Sequence, residues 1–182
     1  MEQQRASVQQ QSKLARFELS VLPHMGAAYN LARWLIRNEH DAEDVVQDAY
    51  MRAYRFFDSF HGGDGRTWLL AIVRNTCYTW LRQNRKPPVE LEEDIPDLDG
   101  GRFNPEAILL LSVDGELLRQ ALDDLPAEFR EAIVLRELEG LSYKEIGVVA
   151  GVPLGTVMSR LARARSRLQK ALTGSARQGG AA

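Results

Sequence analysis

An acidic stretch punctuated by proline and glycine, set in the middle of the chain, limits every fold open to it. Residues 87–111 hold one basic residue against seven acids, open on Pro87-Pro88 and continue through Pro96, Gly100-Gly101 and Pro105. Proline pairs, glycine pairs and like charges all resist a packed core. The stretch therefore predicts a linker over 89–111, clearest over 89–105, with a folded domain on each side. The expected organisation is a polar N-terminal tail at 1–13, a first domain at 14–88, the linker, a second domain at 112–172 and a disordered tail at 173–182. Charge follows the same division. The net charge of −2 conceals 12 Lys/Arg against 9 Asp/Glu in residues 1–86 and 10 against 9 in residues 112–182. In the last block every acid lies at or before Glu145, and six basic residues follow from Arg160 to Arg177.

Strand signals are nearly absent, whereas apolar residues recur at helical spacing on both sides of the linker. The expected fold is all-α, with helices at 14–37, 41–57 and 66–84 in the first domain. Asp41 is the expected N-cap of the second helix, and Gly62, Gly63 and Gly65 mark the break before the third. The second domain should hold helices at 112–123, 127–138, 142–149 and 154–172. Pro126 suits a helix start, and Ser142 with Glu145 forms a capping box. One cysteine, Cys77, leaves no internal disulfide and no multi-cysteine zinc site. The longest weakly polar run, Ile146 to Gly155, is too short and too broken to span a bilayer. The N-terminus lacks the apolar core of a signal peptide. The expected location is cytoplasmic.

The run from Leu141 to Arg160 reads as a helix-turn-helix. A short capped helix meets Gly151, which suits a left-handed turn, and a second helix follows at once. Small residues at Gly147 and Ala150 allow a close crossing, with Ile146, Val149, Val157 and Leu161 as the shared apolar contact. Leu161, Ala164 and Leu168 should face inward. Ser159, Arg160, Arg163, Arg165, Arg167 and Lys170 would then be offered to DNA, where arginine reads guanine and other cations neutralise phosphates.

The first domain concentrates its aromatics: eight of fourteen lie within residues 50–80, interleaved with Arg52, Arg55, Arg66, Arg74 and Arg82. Rings beside cations are what unstacked bases require. Tyr54, Phe57 and Trp80 read as core, and Cys77 as an inert core thiol, whereas Phe60, His61, Arg66 and Trp68 sit in or beside the glycine-rich loop. On the preceding helix, Ala42, Val45, Ala49, Ala53 and either Phe56 or Phe57 form an apolar stripe. Glu43, Asp44, Gln47, Asp48, Met51 and Arg55 form the opposite surface, which reads either as a solvated face whose acids complement the helix start or as a docking surface for a basic partner helix.

Together these segments resemble the bacterial sigma-70 family of RNA polymerase sigma factors, in its extracytoplasmic-function (ECF) branch. The resemblance is carried by Asp41-Ala42-Glu43-Asp44-Val45-Val46-Gln47-Asp48-Ala49-Tyr50, by Thr67-Trp68-Leu69 with Ile72-Val73-Arg74-Asn75, and by Leu141-Ser142-Tyr143-Lys144-Glu145-Ile146. Val152-Pro153-Leu154-Gly155-Thr156-Val157 and Ser159-Arg160-Leu161-Ala162-Arg163-Ala164-Arg165 complete it. It implies that the first domain is similar to region 2 and the second to region 4. The partners it implies are core RNA polymerase (through its β′ clamp helices and β flap), promoter DNA and an anti-sigma factor. By this likeness Glu43, Asp44, Gln47, Asp48, Met51 and Arg55 would meet the polymerase. Phe60, His61, Arg66, Thr67, Trp68 and Asn75 would read and hold open the −10 element. Ser142, Tyr143, Thr156, Met158, Ser159, Arg160, Ala162, Arg163, Arg165 and Arg167 would contact the −35 element. Met158 stands where such motifs commonly carry Lys or Arg, and Gly147 where they carry Ala. The resemblance implies neither cofactor nor metal.

Two other classes remain. A regulator that binds duplex DNA without joining polymerase would share the second domain, but would need neither the aromatic loop nor the docking helix. An enzyme is disfavoured by the dispersed His24, His40 and His61 and by the lack of any metal-ligand or P-loop spacing. Energetics separate the roles further. Opening about ten base pairs costs on the order of 14 kcal/mol, whereas capturing one or two bases returns roughly 1–6 kcal/mol. A chain of this kind should not melt a promoter alone.

Overall fold

The computed structural model describes residues 2–84 and 115–178, and these form two compact helical units with no strand among the described residues. The linker and the last four residues lie outside the described residues.

The first unit contains α1 (Glu2–Ser20), α2 (Met25–Ile36), α3 (Glu39–Phe56) and α4 (Gly65–Asn84). Two expectations are corrected at its start. The stretch expected to be a tail is helical from Glu2, and the helix expected over 14–37 is two helices separated by a 3₁₀ turn at Leu22–His24. Pro23 explains the break, because its ring blocks a continuous helix and removes an amide donor. Phe17 anchors α1 on the unit. It is buried and meets Tyr50, Tyr54 and Phe57 edge-on, with ring centroids 6.4, 5.3 and 5.3 Å away. Lys13 reaches Asp58 at 2.6 Å, so polar residues of α1 also have tertiary partners.

α2 ends with Arg37 in a left-handed conformation (φ 68°), and extended Asn38 follows. Asn38, not Asp41, caps α3: its side-chain oxygen accepts the Asp41 amide at 3.1 Å. Asp41 lies within the first turn instead, where an acid complements the helix dipole. Ala28, Leu31, Ala32, Leu35, Ala42, Val45, Ala49, Ala53, Leu69, Leu70, Val73 and Cys77 make the core where α2, α3 and α4 meet. Phe57 completes the α3 stripe and is buried, whereas Phe56 is exposed. Tyr54 and Trp80, expected as core, are only half-buried.

The C-terminal part of the chain contains α5 (Gly115–Asp123), α6 (Ala127–Ile133), α7 (Tyr143–Ala150) and α8 (Leu154–Gln178). α6 continues into a π-helical turn, Val134–Leu138, closed by the Glu139 amide on the Val134 carbonyl at 3.0 Å. The capping box of α7 forms as expected: the Ser142 amide donates to Glu145 at 2.6 Å and the Glu145 amide to the Ser142 hydroxyl at 3.3 Å. α8 runs to Gln178, beyond the expected end at 172, so the first six residues of the expected disordered tail are helical. Thr173 bonds back to the Gln169 carbonyl at 2.7 Å within that extension.

Candidate nucleic-acid and polymerase interfaces

α7 and α8 meet at a bend of 101°, within the range of a helix-turn-helix. Gly151 makes the turn at φ 65°, and the Val152 amide closes it on the Gly147 carbonyl at 3.1 Å. A Cβ at Gly147 would lie 3.1 Å from the Val152 carbonyl oxygen and 3.8 Å from Val157, so the small residue is what lets the turn press against α7. Ile146, Val149, Val157 and Leu161 seal the crossing, all 2% exposed or less. Ala164 and Leu168 extend the same buried stripe.

The outward side of α8 presents Met158, Arg163, Arg167 and Lys170, with Thr156, Ser159, Arg160 and Ala162 half-exposed. Ser159 donates to the Thr156 carbonyl at 3.0 Å, which leaves its oxygen free to accept. One expected DNA contact is placed otherwise. Arg165 is turned into the unit, where it pairs with Glu137 at 2.8 Å. Partial burial opposes its charge, but Glu137 and Tyr143 outweigh that and raise its pKa above the usual arginine value. Arg167 remains exposed, but its guanidinium lies over the Phe129 ring, 5.2 Å from the centroid. Ser142 is occupied by the capping box, and the ring of Tyr143 carries Arg136 at 5.2 Å.

In the first unit the loop from Phe57 to Asp64 turns through Gly62 (φ 93°) and Gly63 (φ 102°). Asp64 then caps α4, accepting the amides of Arg66 at 3.0 Å and Thr67 at 3.2 Å and the Thr67 hydroxyl. Partial burial pushes the Asp64 carboxyl up, but these hydrogen bonds outweigh it and hold its pKa below the usual carboxylate value. Gly65 abuts α1 so closely that a Cβ would overlap the Ser20 carbonyl. The result is a loop fixed at both ends beside a shelf of rings. Phe60 lies 5.7 Å from Phe57 and 5.0 Å from Trp68, centroid to centroid, and both outer rings are half-exposed. His61 and Asn75 are exposed and Arg66 half-exposed. Thr67 is placed otherwise, buried with its hydroxyl on Asp64.

One face of α4 was not singled out by sequence. Arg74, Tyr78 and Arg82 follow each other at one-turn spacing, with the Arg74 guanidinium 4.3 Å from the Tyr78 ring centroid. With Asn75 and Thr79 they line an open hollow of about 390 Å³. The i, i+4, i+8 spacing of Arg-Tyr-Arg could have revealed it.

Glu43, Asp44, Gln47, Asp48, Met51 and Arg55 are all exposed on α3, as expected of a docking surface. Asp48 is paired with Arg52 at 2.9 Å. Asp44 and Asp48 also border a cleft of about 160 Å³ that continues across Thr76, Thr79, Trp80 and Gln83 of α4. The half-buried Trp80 is thus part of a surface groove. Among the described residues no three acid, histidine or cysteine side chains gather as a metal site, and no single helix is long and apolar enough to cross a membrane.

Comparison with known proteins agrees with this arrangement. Residues 21–86 match the family model for sigma-70 region 2, and residues 115–168 that for sigma-70 region 4. The chain is 39% identical over 160 residues to the ECF RNA polymerase sigma factor SigE of Mycolicibacterium smegmatis. That match covers 87% of this chain and spans 62% of the relative's length. It is 39% identical over 140 residues to the ECF RNA polymerase sigma-E factor of Escherichia coli K12, covering 70% of this chain and 72% of that one. Among solved structures it is similar to the sigma factor RpoE of Bartonella quintana in complex with the anti-sigma factor NepR. There the TM-score is 0.67 at 31% identity, covering 87% of this chain and 97% of that one. It is also similar to CnrH in complex with the cytosolic domain of CnrY, with a TM-score of 0.55 at 27% identity over 94% of this chain and 90% of that one. With both family regions matched in order, the chain belongs to the ECF RNA polymerase sigma factors of the sigma-70 family.

Proposed function

We propose that this sigma factor binds core RNA polymerase, directs it to promoters through the −35 and −10 elements and promotes opening of the duplex. The reading divides the chain into a region 2-like domain at 14–88 and a region 4-like domain at 112–172, and α1 extends the first of these toward the N-terminus. The single observation that carries it is the coexistence of two surfaces of opposite character. An acidic face on α3 suits a basic partner helix, and an acid-free run of basic residues follows the turn into α8. A duplex-binding regulator would need only the second.

In this reading Asp44, Gln47 and Asp48, with Glu43, Met51 and Arg55 around them, dock on the β′ clamp helices. Phe60 and Trp68 offer ring faces to unstacked bases, with His61, Arg66 and Asn75 beside them and the Arg74–Tyr78–Arg82 face toward phosphates. Arg160, Arg163 and Lys170 neutralise −35 phosphates or read guanine. Arg165 and Thr67 act indirectly, by holding α8 and the loop in place. The protein works in the cytoplasm, performs no covalent chemistry, and is held in check by an anti-sigma partner.

Run-off transcription tests this directly, with purified bacterial core polymerase and fragmented host DNA. Discrete transcripts that depend on the protein are expected. The double variant Asp44→Lys/Asp48→Lys should lose core binding while keeping duplex affinity. Duplex binding with neither transcripts nor core association would establish the stand-alone regulator instead.

A further inference from the structure

Leu154 and Met158 stand one turn apart in the first turns of α8, and each is 53% exposed. The inward stripe of the same helix is sealed, so these two apolar side chains are not needed to close the unit's own core. They lie where the second helix of a helix-turn-helix brings side chains to base edges. The helix pair as a whole suits a polyanion: Arg163 and Lys144 are exposed, Arg160 is half-exposed, and no acid follows Glu145. Nothing surrounds Gly155 within 4 Å of a built Cβ, so the helix surface between them is low.

A thioether and an isobutyl group cannot exchange strong hydrogen bonds with a base. In the major groove of B-DNA the one apolar mark on the four standard bases is the C5-methyl of thymine. We propose that Met158, supported by Leu154, reads a thymine methyl in the −35 element, so that this position of the promoter is T rather than the G an arginine would select. The inference rests on the reading of α8 as the −35 helix.

The test replaces the methyl alone. Holoenzyme assembled from the full chain and core polymerase selects sites from duplexes randomised across the −35 region. The enriched duplex is then resynthesised with deoxyuridine for thymidine, one position at a time. At one or two positions the substitution should weaken binding about threefold to tenfold, as expected for one methyl group removed from a desolvated contact. Met158→Ala should bring the thymidine-to-deoxyuridine ratio at that position to about one, the two losses being non-additive. Met158→Arg should shift the selected base toward guanine, whereas Arg163→Ala should weaken binding and leave the ratio intact. Deoxyuridine without effect at every position, or a ratio that survives Met158→Ala, overturns the proposal. Met158→Ala that impairs holoenzyme assembly but keeps the thymine preference also overturns it, and assigns the patch to a protein contact. If no site is selected at all, the −35 reading itself falls and takes this inference with it.

Discussion

Tyr50 shows how a single buried atom sets a pH limit. Its hydroxyl is buried without a hydrogen-bond partner, and desolvation pushes its pKa up to about 12. A phenol whose folded pKa is raised supports the fold fully below its unfolded value of about 10 and loses that contribution as pH rises toward the folded one. Tyr50→Phe removes an unsatisfied polar group at nearly constant shape. It should leave stability at pH 7 unchanged or raise it by up to about 1 kcal/mol, and flatten the decline between about pH 10 and 12. Urea unfolding across that range measures both. The arginines of α8 offer a second contrast. Arg165 is tied to Glu137, and Arg163 is exposed. Arg165→Met should lower stability by roughly 0.5–1.5 kcal/mol and weaken every promoter alike, whereas Arg163→Met should leave the melting temperature unchanged and lose base discrimination. Melting curves and binding to promoter variants distinguish the two.

At the scale of the element, the decisive positions are helix starts. α4 begins where Asp64 gathers two amides and a hydroxyl, and where Gly65 lies against the Ser20 carbonyl. Asp64→Ala should cost about 1 kcal/mol through the lost cap. Gly65→Ala forces backbone to move and should cost more, roughly 1–3 kcal/mol, the range for overpacking a tight contact. Both changes displace the loop that carries Phe60 and His61, so promoter opening should fall more than core binding does. Ser142→Ala in the α7 capping box should cost about 1 kcal/mol without altering the −35 sequence preferred. Chemical denaturation, core-binding and promoter-opening assays check these expectations. The start of α7 was readable because its capping chemistry is local. The S-x-x-E box and the glycine turns needed no tertiary information. The α3 cap moved from Asp41 to Asn38 because both side chains can accept an amide, and the backbone at Arg37 and Asn38 decided between them.

For the whole molecule, the energy of strand opening sets the expectation. In the proposed function, capture of one or two bases by the Phe60–Trp68 shelf would supply roughly 1–6 kcal/mol, against about 14 kcal/mol for ten base pairs. The free protein should therefore leave linear promoter DNA closed under 2-aminopurine fluorescence, and opening should appear only with core polymerase. What the sequence by itself determined was the all-α class, the two-part division, the helix-turn-helix with its inward residues, and the outward face of α3. Each follows from helical periodicity, turn residues or charge, and these act over a few residues along one chain segment. What only the tertiary structure decided was the use made of ambiguous residues. The polar start of the chain joins a helix that Phe17 seats against Tyr50, Tyr54 and Phe57 of the α3 segment. Arg165 and Thr67 gained internal partners in Glu137 and Asp64. Trp80 became part of a groove, and Arg74, Tyr78 and Arg82 became one face. A residue's type and periodicity state which interactions it is able to make; packing of distant segments selects one, because burial favours the arrangement in which polar atoms are paired and apolar groups closely packed.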